Sequence, residues 1–473
     1  METLLNKFFF LLLALFSSPP LLAKTLVYCT SGNPISFTPA MITDGSSLVA
    51  DSQLYNRLLD FTPGTTTLIP SLAESWEISK DGLHYTFELR KNVSFHSGFG
   101  FKPTRSFNTD DVLFSFHRQS DPSHPYHKVG GGHFHYFNNM GMGKIIKEIK
   151  KISPTKIEFV LHRKEAPFLS DLAMDFTSIH SAEYAQFLMD SKKSEKFDLE
   201  PIGTGPFAFE SYQKDSVIKY KGFENYWDGK PKIDRLIFAI TIEPSLRLQK
   251  LLANECQLSP QIDQADVDKV RNNSKLKLFE IEALNVGYVA LNTQKKPFDN
   301  VLVRRALVHA MNRPSYINAI YMGLATLPKN LIPPPMWSHN DSIEAHSYDP
   351  DPATYAQKVR AGEHTMAQLG WTGDNDDPDN FFNVLLSCDS VATGGNRARW
   401  CFKPFDDLIQ NAKAETNQKK RTEYYKEAQK IFSEQVPLIL FAHGRVFSAT
   451  RENVIGYKLS PLGKEDFSKV DLK

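Results

Sequence analysis

Residues 370–382 read GWTGDNDDPDNFF. The stretch sets four carboxylates, Asp374, Asp376, Asp377 and Asp379, between Trp371 and the pair Phe381 and Phe382. Aromatic rings beside carboxylates point to an acid/base pair, a cation site, or a place where a ligand ammonium is held against an apolar wall. Two apolar, strand-like runs bracket the stretch: 285–292 (NVGYVALN) and 436–447. If these runs cross between two lobes, the acidic stretch faces the cleft between them, where ligand sites concentrate.

The rest of the chain fits that arrangement. At 473 residues it exceeds one hydrophobic core, so two or three domains are expected. Hydrophobic residues make up 41% and charged residues 23%, ordinary values for a globular protein. The 55 Lys and Arg against 54 Asp and Glu leave no basic field for nucleic acid. Lys7, the apolar run 8–16, Ser17-Ser18-Pro19-Pro20 and Leu21-Leu22-Ala23 form the pattern of a secretory leader cut after Ala23. Cys29 follows too far from the apolar run, and without small residues before it, for a lipid-anchored cut. A secreted protein without an anchor is expected. Four cysteines in an exported chain imply two disulfides, with three pairings open. Cys388 and Cys401 flank the Gly394-Gly395-Asn396 turn and favour a local staple, which leaves Cys29 for Cys256. No CxxC or CxxH spacing supports zinc.

Local patterns predict short strands at 24–29, 72–78, 84–89, 91–95, 145–152, 156–161, 207–209, 217–220 and 235–240. Helices are expected at 47–59, 108–117, 181–189, 244–253, 298–311 and 423–432, with Asn108 or Thr109 and Asn300 as caps. Strands and helices alternate irregularly, without a strict βαβ rhythm. This indicates mixed α/β lobes rather than a barrel or a repeat array.

Other constellations carry less. The aspartates resemble the start of a calcium loop, but Asp379 and Leu385 stand where such a loop needs Gly and Glu. A hydrolase using the acidic stretch is the enzyme alternative. His124, His127, His133 and His135 surround a glycine run and read as a surface loop, with metal or haem as the sharper alternative. Gly203-Thr204-Gly205 lacks the Lys-Ser/Thr of a phosphate loop. No Ser/His/Asp arrangement and no cofactor motif is present.

Taken in order, Ala73-Glu74-Ser75-Trp76-Glu77, residues 108–112, 201–207, 226–230, 285–292, Arg305-Ala306-Leu307 and 370–382 resemble the bacterial extracellular solute-binding proteins of family 5, the receptors of ABC importers. Residues 294–297, 330–337 and Cys388 to Cys401 make the dipeptide receptors the nearest branch. The resemblance implies an α/β, two-lobed clamp of the type II, cluster C kind with a small extra domain, and a monomeric receptor rather than an enzyme. Lobe one would comprise 24–66, 201–284 and 446–473, the inserted domain 67–200, and lobe two 285–445. It also implies the pairings Cys29–Cys256 and Cys388–Cys401. In the dipeptide branch the GWTGD carboxylate, here Asp374, salt-bridges the peptide's α-amino group. Trp371, Thr372 and Gly373 would then line the peptide, with Gly32 and Asn33 facing it from lobe one. The implied partners are a short peptide, or haem, glutathione or an antimicrobial peptide as in related receptors, and an inner-membrane ABC permease. The implied location is the periplasm of a Gram-negative bacterium.

One departure stands out. Between Tyr348-Asp349-Pro350 and Gly362-Glu363-His364 only residues 351–361 intervene, where the family carries a longer stretch. That stretch supplies part of lobe two and the arginine that holds the ligand carboxylate. Arg360 belongs to the pattern after the gap and does not take that role. A partly truncated lobe two and weakened dipeptide binding are therefore expected.

Overall fold

The structure, a computed structural model, describes residues 23–344 and 366–473. Leader residues 1–22, the patterns at 348–350 and 362–364, and Arg360 lie outside the described residues.

A ten-stranded sheet runs through both lobes. In lobe one, Thr25–Thr30 pairs in parallel with Arg235–Ile240, and Val217–Gly222 and Phe207–Gln213 extend the sheet antiparallel. Alternation drives this half. Leu26, Tyr28, Leu236, Phe238, Ile218 and Tyr220 all point into one core, while residues between them face outward. Leu438–Arg451 is the strand that links the lobes. Its first part pairs with Asn285–Leu291 (Ala442 opposite Gly287, Leu438 opposite Ala290). Its second part pairs with Leu276–Glu282 (Arg445 opposite Glu282, Arg451 opposite Leu276). The crossover between lobes therefore consists of two adjacent backbone runs, near 282–287 and 442–445. Met366–Thr372 adds to Asn285–Leu291 as the edge strand of lobe two and brings Gly370 opposite Gly287.

The helices of lobe two pack on its side of the sheet. Asn300 caps Val301–Ala310, accepting from the Leu302 N–H at 2.9 Å. Asp379–Leu386, Lys403–Ala414 and Gln418–Gln435 bury Phe381, Phe382, Phe405 and Tyr425 together. The inserted domain has its own sheet, in the order Ala73–Ile78, His84–Leu89, Lys156–Leu161, Ile146–Ser153. Its helix Thr109–Ser120 starts with a full capping box between Asn108 and Asp111. Its aromatic core, with Phe87, Phe116, Phe159 and Phe168, is continuous with that of the lobe-two helices.

Both disulfides form as Cys29–Cys256 and Cys388–Cys401. The first joins the opening strand to the segment after helix Pro244–Leu252, and the second closes the loop that carries the short helix Asp389–Thr393. Such bridges stabilise by about 2–4 kcal/mol each.

Three local expectations are corrected. The helix expected at 47–59 covers only Gly45–Asp51. The carbonyls of Gln53 and Leu54 instead accept from Phe207 and Gly205, at 3.1 and 2.8 Å, so pairing across the lobe overrides helical spacing. This approach is why Gly203 and Gly205 are glycines: a Cβ on Gly203 would lie 2.0 Å from the Leu54 carbonyl oxygen. Residues 91–95 form no strand; Val93 and Phe95 are buried from an irregular segment. The run at 436–447 becomes a strand only from Leu438, after Val436 caps the preceding helix, and that strand continues to Arg451. No helix among the described residues is long and apolar enough to cross a membrane.

Candidate functional site

A cavity of about 640 Å³ opens where the two lobes meet. Lobe two supplies Asn285, Gly287, Gly370, Trp371, Thr372 and Asp374; lobe one supplies Tyr28, Ser31, Ser46, Lys464 and Glu465. Tyr136 and Asp175 reach it from the inserted domain.

Asp374 sits at the end of the edge strand, in the turn leading to helix Asp379–Leu386. Asn380 fixes this turn. Its side-chain oxygen accepts from Asp374 N–H at 3.1 Å and from Trp371 Nε1–H at 3.2 Å. Asp374 keeps part of its surface open to the cavity, but its Oδ2 is buried and has no hydrogen-bond partner. Burial pushes its carboxyl up to about 7, opposed by the Tyr136 hydroxyl and the charge of Lys464. A buried carboxylate oxygen without a partner is poised for a ligand cation, because an ammonium supplies both the charge and the missing donor. Trp371, half-buried, forms the apolar wall beside it.

The other anticipated residues separate into two groups. Thr372 lines the cavity with Trp371 and Asp374. Gly373 lies behind the wall: its N–H donates to Leu284 O at 2.6 Å, and a Cβ there would meet Phe381 at 2.9 Å. On the lobe-one side it is Ser31, not Gly32 or Asn33, that lines the cavity. Gly32 backs onto Ser46. The Asn33 amide is occupied elsewhere, donating to Asp215 at 2.6 Å and accepting from the Tyr212 hydroxyl at 2.9 Å.

The remaining aspartates make long-range contacts. Asp376 accepts from the Thr66 hydroxyl of lobe one at 2.9 Å. Asp377 accepts from Asp379 N–H at 3.0 Å and pairs with Arg421 at 2.8 Å. Asp379 lies 3.6 Å from Lys413, which pairs at 3.0 Å with Glu165 of the inserted domain. Asn375 donates to Asp171 of the same domain at 3.3 Å. Sequence reading missed Asn380, Tyr136, Asp175, Lys464 and Glu465. Only Asn380 stood in the quoted stretch; the others arrive through long-range folding.

The histidine loop lies apart from this site. His127 Nδ1 bonds Arg118 O at 2.8 Å, and the His133 and His135 rings stack 6.2 Å apart. Among the described residues no group of three or more His, Cys, Asp or Glu side chains could hold a metal ion. Trp400 is buried in the lobe-two core, away from the cavity.

Two lobes joined by paired crossing strands, with a charged cavity between them, define a clamp-type solute receptor. The chain belongs to the bacterial extracellular solute-binding proteins, family 5, whose model, described as the family 5 Middle, matches residues 67–355. Proteins of this family are receptors of ABC importers and not enzymes, which removes the hydrolase alternative. The chain is 45% identical to the dipeptide-binding protein of Escherichia coli, with 95% of each chain covered. It is 40% identical to the heme-binding protein A of Haemophilus influenzae, over 95% of this chain and 92% of the relative. Its fold matches the crystal structure of the dipeptide-binding protein of Pseudoalteromonas sp. SM9913 in complex with Met-Leu, with a TM-score of 0.88, 33% identity, and coverage of 95% and 100% of the two chains. The E. coli alignment extends over 508 positions, more than the 473 residues of this chain, so this chain lacks residues that its relative has.

Proposed function

We propose that this protein is a periplasmic receptor that captures short peptides by their free α-amino group and delivers them to an inner-membrane ABC importer. The observation that carries this reading is Asp374: a buried carboxyl with an unpartnered oxygen, beside Trp371, on the wall of an interlobe cavity. The peptide backbone would lie along the strand Met366–Thr372, which among the described residues pairs on one side only and so can take a strand-like partner on the other. The dipeptide-binding relatives support the same ligand class.

The receptor works as a monomer after a leader ending at Ala23 is removed. Its domains follow the boundaries set out above: 24–66, 201–284 and 446–473 for lobe one, 67–200 inserted, and 285–445 for lobe two. The residues missing relative to the E. coli protein belong to lobe two, between 350 and 362. Support comes from Leu302, Ile320, Met322 and Met366, large apolar side chains of that lobe that are 45–66% exposed.

Mass spectrometry of the solute that co-purifies with the protein from a bacterial periplasm tests the reading. Short peptides with free amino termini support it; a solute without an amine contradicts it. A haem receptor is the second reading, favoured by the likeness to the Haemophilus protein. A Soret band on adding haemin, lost in His133→Ala with His135→Ala, would support that reading instead.

A further inference from the structure

The cavity's charges are unevenly compensated. Among the described residues lining it there are three acids, Asp175, Asp374 and Glu465, and two cations, Lys464 and Arg445. Both cations are committed. Lys464 lies 3.2 Å from Asp175, which Arg57 also holds, and Arg445 lies 2.8 Å from Glu280 outside the cavity. Burial raises Asp175, but Lys464 and Arg57 outweigh it and hold its carboxyl below the usual carboxylate range. Asp374 and Glu465 are left without an ion-pair partner of their own.

Glu465 resembles Asp374 in its chemistry and sits on the other lobe. It is 6% exposed; its Oε1 accepts from the Tyr457 hydroxyl at 3.1 Å, and its Oε2 is buried with no partner. Burial pushes its carboxyl up to about 8, with Tyr457 opposing and Asp466 adding to the rise. Each lobe therefore presents one buried carboxyl without an ion pair of its own to the same space. A carboxylate on the solute would meet these acids and no free lysine or arginine among the described lining residues. A positive group would meet an acceptor at either end.

We propose that the cavity selects cationic peptides, seating the α-amino group at Asp374 and a lysine or arginine side chain at Glu465. This rests on the peptide-receptor reading and adds the class of peptide and a specificity-determining residue. An ammonium at Glu465 stabilises the ionised carboxylate, so the proton held in the empty cavity leaves as the basic side chain enters. The groups facing Glu465 are Tyr457, Tyr28 and Asp466; those facing Asp374 are Tyr136, Lys464 and Asp175.

Calorimetric titration of the full chain with Ala-Lys, Ala-norleucine and Ala-Glu tests this, since norleucine has nearly the length of lysine without its charge. Ala-Lys should bind about tenfold tighter than Ala-norleucine, with Ala-Glu the weakest, and Glu465→Gln should erase the Lys-over-norleucine ratio. Repeating the wild-type titrations in buffers of different ionisation heat gives a readout that needs no variant: Ala-Lys should release more protons at pH 7 than Ala-norleucine. Equal affinities, equal proton release, or a ratio that survives Glu465→Gln overturns the proposal while leaving peptide binding intact. Failure of all three dipeptides to bind overturns the peptide-receptor reading itself.

Discussion

Lys413, on a lobe-two helix, places its ammonium 3.0 Å from Glu165 of the inserted domain, and both side chains are buried. The backbone reinforces the contact, with Ala166 N–H donating to Lys413 O at 2.8 Å. Asp379, Asp171, Asp377 and Arg421 complete a buried charge cluster around this pair. The cluster begins one residue beyond Asp374, where Asn375 reaches Asp171. The loop carrying the proposed ammonium anchor is thus held on its far side by the inserted domain.

Lys413→Met should therefore destabilise the protein strongly, because it leaves Glu165 and Asp379 buried without their shared cation. Removing one partner of a buried ion pair costs about 3–5 kcal/mol. Urea unfolding followed by far-UV circular dichroism measures the loss. An unchanged midpoint would show that the cluster contributes nothing to the contact between the inserted domain and lobe two.

Gly203→Ala should also destabilise the fold, by a different cause. Its Cβ would lie 2.0 Å from Leu54 O and 2.8 Å from the Tyr55 ring, so the backbones must move apart. Overpacking of this kind typically costs about 1–3 kcal/mol, and contact with backbone gives little room to relax. Thermal melting of the variant beside Gly100→Ala, where nothing lies within 4 Å but φ is +81°, separates collision from backbone strain. A smaller loss at Gly203 than at Gly100 would contradict the close approach.

Peptide affinity should fall as the medium is acidified. Burial pushes Asp374 up to about 7 and Glu465 up to about 8 in the empty cavity. A bound ammonium requires the ionised carboxylate, so the bound-state value is lower than the free-state value. Affinity is therefore fully present above the free-state values and is lost as pH falls through them. For Asp374 alone the loss between pH 7 and 5.5 is about fifteenfold. The groups facing it, Tyr136, Lys464 and Asp175, do not reverse the sign. Calorimetry at several pH values reads the slope, and affinity that is flat or rises toward pH 5.5 would contradict it.

Much of the architecture was legible because it depends on local pattern. Alternating residues marked His84–Leu89, Lys156–Leu161 and Arg235–Ile240, and the caps at Asn108 and Asn300 marked helix starts. The acidic stretch was visible as a unit, and Trp371, Thr372 and Asp374 do share the cavity wall. What sequence could not supply was pairing at a distance. The partners of Asp377 and Asp379 were not visible from the acidic stretch, because Arg421 and Lys413 arrive from helices much later in the chain. Asn33 read as a cleft residue, yet its amide is taken by Asp215 and Tyr212 from a neighbouring hairpin. The helix expected at 47–59 gave way for the same reason, when Gly205 and Phe207 captured the carbonyls of Leu54 and Gln53.

The most direct test of the account is a calorimetric comparison of Ala-Lys with its N-acetylated form, on the wild type and on Asp374→Asn. The wild type should bind the free dipeptide and lose the acetylated one. Asp374→Asn should lose about 2–5 kcal/mol for the free dipeptide, because a buried charge pair is broken. Equal binding of the two peptides by the wild type, or an unchanged affinity in Asp374→Asn, would contradict the claim that this receptor holds its solute by the amino group at Asp374.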